Sequence, residues 1–259
     1  SPDFAAANYT ITEDDGRDDE IAITRLPFNI DLMQNKNSQL QLEVALAYQK
    51  TKTIFTFAGG NIDSKWTTYG AGLGLLYNQN ITNHLEFTPS FRFGLAKMEQ
   101  HLTYKNTLVD NSKTNASVFN FGVGLKYNWK IRDRASNIRA DVYHVIVDSF
   151  DESNLITKFK ETSNMIALQS DIIFPSNITI YQKRLDFLLL LGANNFFGEN
   201  RNTLGYTTSY QVGTGVEFPL SWESKKYGYL RFSGQILRAK NMKGWILSIG
   251  YNQAVKISY

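Results

Sequence analysis

From Phe119 to Lys130 the chain alternates without a break. The odd positions, Phe119, Phe121, Val123, Leu125, Tyr127 and Trp129, are large and apolar. The even positions, Asn120, Gly122, Gly124, Lys126, Asn128 and Lys130, are polar, charged or glycine. Strand side chains point to opposite faces in turn, so this segment has one oily face and one wet face. A soluble sheet can do the same with a single strand. Here the pattern returns along the whole chain, with aromatics at both ends of the oily face. That repetition predicts a transmembrane barrel, lipid outside and water within.

The oily sets follow in chain order. Leu26, Phe28, Ile30 and Leu32 lead to a turn at Gln34-Asn35-Lys36-Asn37-Ser38. Leu40, Leu42, Val44, Leu46 and Tyr48 precede a loop around Gly59-Gly60-Asn61. Tyr69, Ala71, Leu73, Leu75 and Tyr77 lead to a turn over Asn78 to Asn83, and Leu85, Phe87, Phe91, Phe93 and Leu95 to a loop over Asn106 to Asn115. After the Phe119 strand comes a turn at Arg132-Asp133-Arg134-Ala135-Ser136. Ile138, Ala140, Val142 and Ile146 precede a loop at Asp148 to Asn154. Ile166, Leu168, Ile172 and Phe174 end at Pro175-Ser176-Asn177, and Leu185, Phe187, Leu189, Leu191 and Ala193 at Gly198-Glu199-Asn200. Tyr210, Val212, Val216, Phe218 and Leu220 end at Glu223 to Lys226, and Leu230, Phe232 and Ile236 at Asn241. Trp245, Leu247, Ile249 and Tyr251, then Val255, Ile257 and Tyr259, close the chain.

Eleven strands are clear by this count. Residues 1–19 form either a first strand over Phe4 to Thr12 plus an acidic loop, or a loose N-terminal segment or plug. Single-chain barrels have even strand numbers, which favours the strand and a total of about twelve. The expectation is an all-β, antiparallel, up-and-down transmembrane barrel, one domain over residues 1–259. Short turns belong on the periplasmic side, alternating with longer loops outside.

Composition agrees. No apolar run approaches the ~20 residues of a membrane-spanning helix; the longest, Phe187 to Leu191, has five. The mean hydropathy is negative, but alternation hides a barrel's membrane signal. Aromatics make up 14% of the 259 residues and there are only 5 Pro, which suits girdles and unbroken strands. Tyr48, Tyr69, Tyr77, Tyr127, Trp129, Trp245, Tyr251 and Tyr259 are the interfacial aromatics expected. A net charge of +3 gives no case for nucleic acid, and with no Cys there is no disulfide or thiolate chemistry.

The wet face carries Arg25, Asp31, Glu43, Glu86, Arg92, Lys126, Arg139, Asp141, Asp171, Arg184, Asp186, Glu217 and Arg231. Six are basic and seven acidic, nearly balanced, whereas an ion-selective pore is lined by an excess of one sign. Most lie beside the short turns. They predict a layer of interleaved charges across the periplasmic half, with small residues such as Gly70, Gly72, Gly74, Ala45 and Ala47 above it. If the barrel conducts, Arg92, Lys126, Arg139, Asp141, Asp186, Glu217 and Arg231 line its restriction. The bland reading is that paired charges simply fill and rigidify the lumen, because buried charges persist only when paired.

Catalytic signals are weak. His84, His101 and His144 are the 3 histidines; none has a Ser at the spacing of a barrel lipase, and they are too scattered for a zinc site. The acidic run Glu13 to Glu20 lacks calcium-loop spacing and reads as a solvated loop. Gly122-x-Gly124 and Gly213-x-Gly215 lie within strands, so they mark places where the wall curves rather than a nucleotide fingerprint. No catalytic residue, metal or cofactor is expected.

The last strand, Gly244 to Tyr251 and on to Tyr259, alternates and ends in an aromatic, which resembles the assembly signal of Gram-negative outer-membrane proteins. About twelve strands in this length, with Gly-rich descending strands, resembles the translocator barrel of autotransporters, and with no α-helical linker before it, the passengerless or solitary kind. That resemblance implies a monomeric, non-enzymatic channel or scaffold in the outer membrane. It would contact outer-membrane lipid and lipopolysaccharide, and the barrel-assembly machinery through its C-terminal strand. A lipid-modifying hydrolase and a loop-mediated adhesin or receptor are the alternatives.

Overall fold

The computed structural model describes residues 3–12, 17–57, 60–105, 107–151, 158–180, 183–198, 207–222 and 226–253. They form twelve strands and no helix. In chain order these are β1 (Asp3–Thr12), β2 (Arg17–Gln34), β3 (Ser38–Phe57), β4 (Gly60–Asn80), β5 (Leu85–Tyr104) and β6 (Thr107–Ile131). They continue as β7 (Arg134–Phe150), β8 (Lys160–Ile180), β9 (Lys183–Phe197), β10 (Thr208–Trp222), β11 (Lys226–Ala239) and β12 (Met242–Gln253). Each strand pairs antiparallel with its sequence neighbours, and β1 pairs with β12 from Asp3↔Gly250 to Ile11↔Met242, closing the ring. Closure leaves no strand edge unpaired in lipid, where a bare N–H or C=O would find no water. Of the two readings of the N-terminus, the strand is the one formed: Phe4 to Thr12 lies within β1.

The oily sets lie on the outside. Leu73 is 55% exposed and Ile236 62%, as are most large apolar side chains of the wall to a similar degree. This inverts a soluble fold and matches a lipid-facing band. On β4 the band runs from Tyr69 to Tyr77, eight residue steps, which is about 27 Å along the strand and about 21 Å in height at a barrel tilt.

Several turns fall elsewhere than the sequence suggests. Of the loop expected over Asn106 to Asn115, Thr107 to Asn115 is strand: β6 begins at Thr107, the register partner of Tyr104. Gly60 and Asn61 likewise belong to β4. Pro175-Ser176-Asn177 is a bulge, after which β8 resumes and pairs Thr179 with Arg184. A proline cannot donate to the ladder, so it reads as a terminator although a bulge accommodates it. The strands β3 to β6 are therefore longer than the sequence suggests, while β7 and β8, and β9 and β10, remain separated by longer connections. Of the acidic run expected as a loop over Glu13 to Glu20, Arg17 to Glu20 are strand, in β2, while Glu13 to Asp15 lie outside the described residues, as do the terminal Val255, Ile257 and Tyr259.

Inside the barrel, two apolar clusters accompany the polar residues. Ile11, Leu237 and Met242 pack with Tyr9, Ile21 and Phe196 toward the end opposite the chain termini. Ile173, Leu188 and Leu190 form the second. Leu188 and Leu190 are the inward members of a run whose outward members are Phe187, Leu189 and Leu191. The inner wall is thus less uniformly small and polar than the alternation suggests.

Candidate functional site: a charge layer across the barrel

Three groups of ion pairs occupy the half of the lumen nearest the chain termini. In the first, Glu43 on β3 accepts from Arg25 of β2 at 3.0 Å and from Arg92 of β5 at 2.9 Å. Strand β4 lies between β3 and β5, and its residue at that level is Gly74, register partner of both Glu43 and Arg92. A Cβ on Gly74 would stand 2.8 Å from Arg92 Cγ and 3.5 Å from Glu43 Cβ. The absent side chain is what lets the guanidinium cross one strand to its carboxylate.

The second group repeats the device. Lys126 Nζ of β6 is 3.5 Å from Glu86, its register partner on β5. On β7, Arg139 Nε donates to both oxygens of Asp141 at 2.8 and 2.7 Å. The pair lies over Gly124, where a Cβ would collide with Asp141 Oδ1. Gly122 beside it leaves room for the Tyr143 ring, 2.9 Å from where its Cβ would be. Both glycines face the lumen, and each makes room there for a neighbouring side chain.

The third group is the largest and spans five consecutive strands. Arg231 of β11 donates to Glu217 of β10 at 2.7 and 2.9 Å, and to Asp171 of β8 at 2.6 Å. Arg184 donates to Asp186 on the same strand β9 at 2.8 Å, and to Asp133 of the β6–β7 turn at 2.9 Å. Arg134, at the start of β7, inserts between the two buried acids: its Nε is 2.7 Å from Asp186 Oδ2 and its Nη2 contacts Glu217 Oε2. Its guanidinium also stacks on Tyr229, 3.9 Å from the ring centre. At the exposed rim, Arg184 holds the Asp133 carboxyl below its ordinary range by hydrogen bonding.

All seven charges expected at a restriction (Arg92, Lys126, Arg139, Asp141, Asp186, Glu217 and Arg231) sit in these groups. Asp31 stands at the rim and accepts from Gln39 and Gln41 instead. Arg134 is the residue that sequence reasoning missed, being assigned to a turn. It shares parity with the outward Ile138, Ala140 and Val142, so alternation points it to lipid. The charge count gave no signal for it, because the seventh inner acid, Asp31, is satisfied by Gln39 and Gln41.

The interfacial aromatics fall into two belts. Tyr77, Tyr127, Trp129 and Tyr251 lie near the chain-terminal end of the wall, and Tyr48, Tyr69, Tyr210 and Trp245 near the other. Tyr48 and Tyr69 pack as register partners with ring centres 5.4 Å apart. The histidines stay apart. His84 Nδ1 bonds the Asn128 carbonyl at 3.0 Å, and His101 stands above the apolar band on β5. On the lipid face, His144 Nδ1 meets Asn164 Oδ1 at 2.7 Å, which satisfies both groups where the bilayer offers no partner. Its other outward neighbours by register are Phe121, Val142, Ile146, Thr162 and Ile166, with no serine among them.

A family model for the solitary outer membrane autotransporter beta-barrel domain matches residues 12–253. The chain belongs to this family. Membership places it in the outer membrane of a Gram-negative bacterium, as the lipid-facing band requires. Among solved structures it is similar to the translocator domain of the autotransporter NalP from Neisseria meningitidis, with a TM-score of 0.73 at 10% identity, over 98% of this chain and 87% of that one. It is also similar to the transport unit of AIDA-I from Escherichia coli, with a TM-score of 0.61 at 11% identity, over 98% and 89%. The beta domain of the Bordetella autotransporter BrkA gives 0.60 at 10%, over 98% and 97%. Identities this low speak for the fold alone. No curated protein sequence matches the chain.

Proposed function

We propose that the barrel is a monomeric, non-enzymatic scaffold, a single domain whose lumen is throttled by the charge layer, so that it passes small ions at most. The observation that carries this reading is the Arg231–Asp171 contact at 2.6 Å. These residues stand on strands three apart, a separation of about 14 Å along the wall. Their side chains therefore bridge a chord of the lumen instead of lying flat against it. Arg134, Asp186 and Glu217 fill the same level, and near-neutral pairing removes any fixed field that would favour one ion sign. The outer-membrane lipids and the assembly machinery, reached through the C-terminal strand, are its partners in this reading.

Single-channel recording in planar bilayers tests it. The expected result is a conductance far below that of a general porin, rising when Arg231 and Glu217 are both changed to Ser. A porin-sized conductance in the unaltered barrel, or no response to the double change, overturns the constriction. Phospholipid hydrolysis that disappears in His144→Ala would overturn the non-enzymatic assignment.

A further inference from the structure

The outer wall holds a second arrangement of charge, distinct from the lumen. Arg238 on β11 and Lys243 on β12 are register partners, flank the β11–β12 turn and share the outward parity of Ile236 and Trp245. Like charges directly opposite each other on a sheet face repel. Several other outward cations have an acid at hand. Lys97 is 2.9 Å and Lys113 3.7 Å from Glu99. Lys52 faces Lys65 on one side but Glu20 on the other. Arg238 and Lys243 face Tyr210 and Thr10 instead, and among the described residues neither has a carboxylate partner. The nearest outward acid by register, Glu20, lies beyond Thr10 and is already opposite Lys52.

These two cations line a groove of about 330 Å³ with Trp245, Ile236, Asn8 and Thr10. Its lower wall is the apolar band; its upper end is the cationic pair. The turn they flank lies at the end opposite the chain termini, the side of the outer leaflet. We propose that this groove binds the phosphate of a lipopolysaccharide molecule, its acyl chains running down over Ile236, Trp245 and Leu247. A phosphate between Arg238 and Lys243 turns a repulsive pair into two charge-assisted contacts. A soluble anion would leave the apolar floor bare; a phosphorylated lipid covers both parts at once. This inference rests only on the outer-membrane placement and is independent of the constriction.

The test uses the full barrel purified in detergent and native mass spectrometry with bisphosphorylated lipid A, dephosphorylated lipid A and inorganic phosphate as separate probes. Bisphosphorylated lipid A should bind the unaltered barrel at least about tenfold more tightly than the dephosphorylated form. The R238Q/K243Q double variant should lose that preference while binding the dephosphorylated form as before, and Lys65→Gln should retain it. Equal binding of the two lipids, or an unchanged preference in the double variant, overturns the proposal. Full competition by millimolar inorganic phosphate would make the site one for the free anion and also overturns it. If the double variant does not fold, the comparison of the two lipids on the unaltered barrel decides.

Discussion

Replacing Arg134 by Met is the sharpest test of the charge layer. The substitution keeps a long side chain on the Tyr229 ring but removes the cation from between Asp186 and Glu217, which are only 2% and 1% exposed. Stripping the partner from a buried charge costs about 3–5 kcal/mol when nothing replaces it. Here each acid retains one guanidinium, Asp186 that of Arg184 and Glu217 that of Arg231. The Arg184 side chain is 36% exposed, so its compensation is partial, and the loss falls to about 2–3 kcal/mol. Urea unfolding of the barrel in lipid vesicles, followed by tryptophan fluorescence and by the mobility difference of folded and unfolded protein on gels, measures it. Lys36→Met in the exposed β2–β3 turn is the control, expected within about 0.5 kcal/mol of the unaltered protein. In the double variant with Glu217→Gln, the two changes should overlap by about 1 kcal/mol or more, because they touch one contact. A loss for Arg134→Met no larger than that of the control would refute the claim that this residue closes the layer.

Two further outcomes follow from the geometry. Gly215→Ala places a methyl against the Phe232 carbonyl oxygen and 2.8 Å from Ser233 Cβ; with backbone as the obstacle, folding yield in vesicles should fall and the unfolding free energy drop by about 1–3 kcal/mol. Asp133, by contrast, has a side chain 63% exposed, so Asp133→Asn should cost under about 1 kcal/mol at neutral pH. Because its folded-state carboxyl is held low, its small contribution is present above the ordinary carboxylate range and fades only as pH falls through the lowered value. The difference between Asp133→Asn and the parent should therefore vanish in acid, as read from unfolding midpoints across pH.

The alternation of Phe119 to Trp129 revealed the barrel because lipid enforces it: every outward position between the two interfaces must be oily. Above the membrane that pressure ends. The outward residues of β6 become Asn111, Lys113, Asn115 and Ser117, while the ladder to β5 continues unbroken. Polar on both faces, this stretch reads as a loop although its backbone is strand. The charge layer was legible because its acids and bases sit at inward parity beside the turns. Which pairs form was not, since Arg92 finds Glu43 across Gly74 and Arg231 finds Asp171 three strands away. Such contacts depend on closure of the ring, which pattern along one strand does not encode. Arg134 escaped for a related reason, its side chain folding under the rim against its own parity.

The unequal strand lengths have a consequence for what lies above the membrane. Strands β4, β5 and β6 run to 21, 20 and 25 residues, while β10, β11 and β12 have 15, 14 and 12. One flank thus stands up as a palisade of hydrogen-bonded backbone, and the opposite flank ends low. A proteolytic probe on the cell surface would encounter cleavable lysines on the high flank locked in extended ladder, a conformation that protease clefts can accept only after the hairpin frays. The molecule would present itself to its surroundings as a leaning half-tower whose sides differ in what they expose.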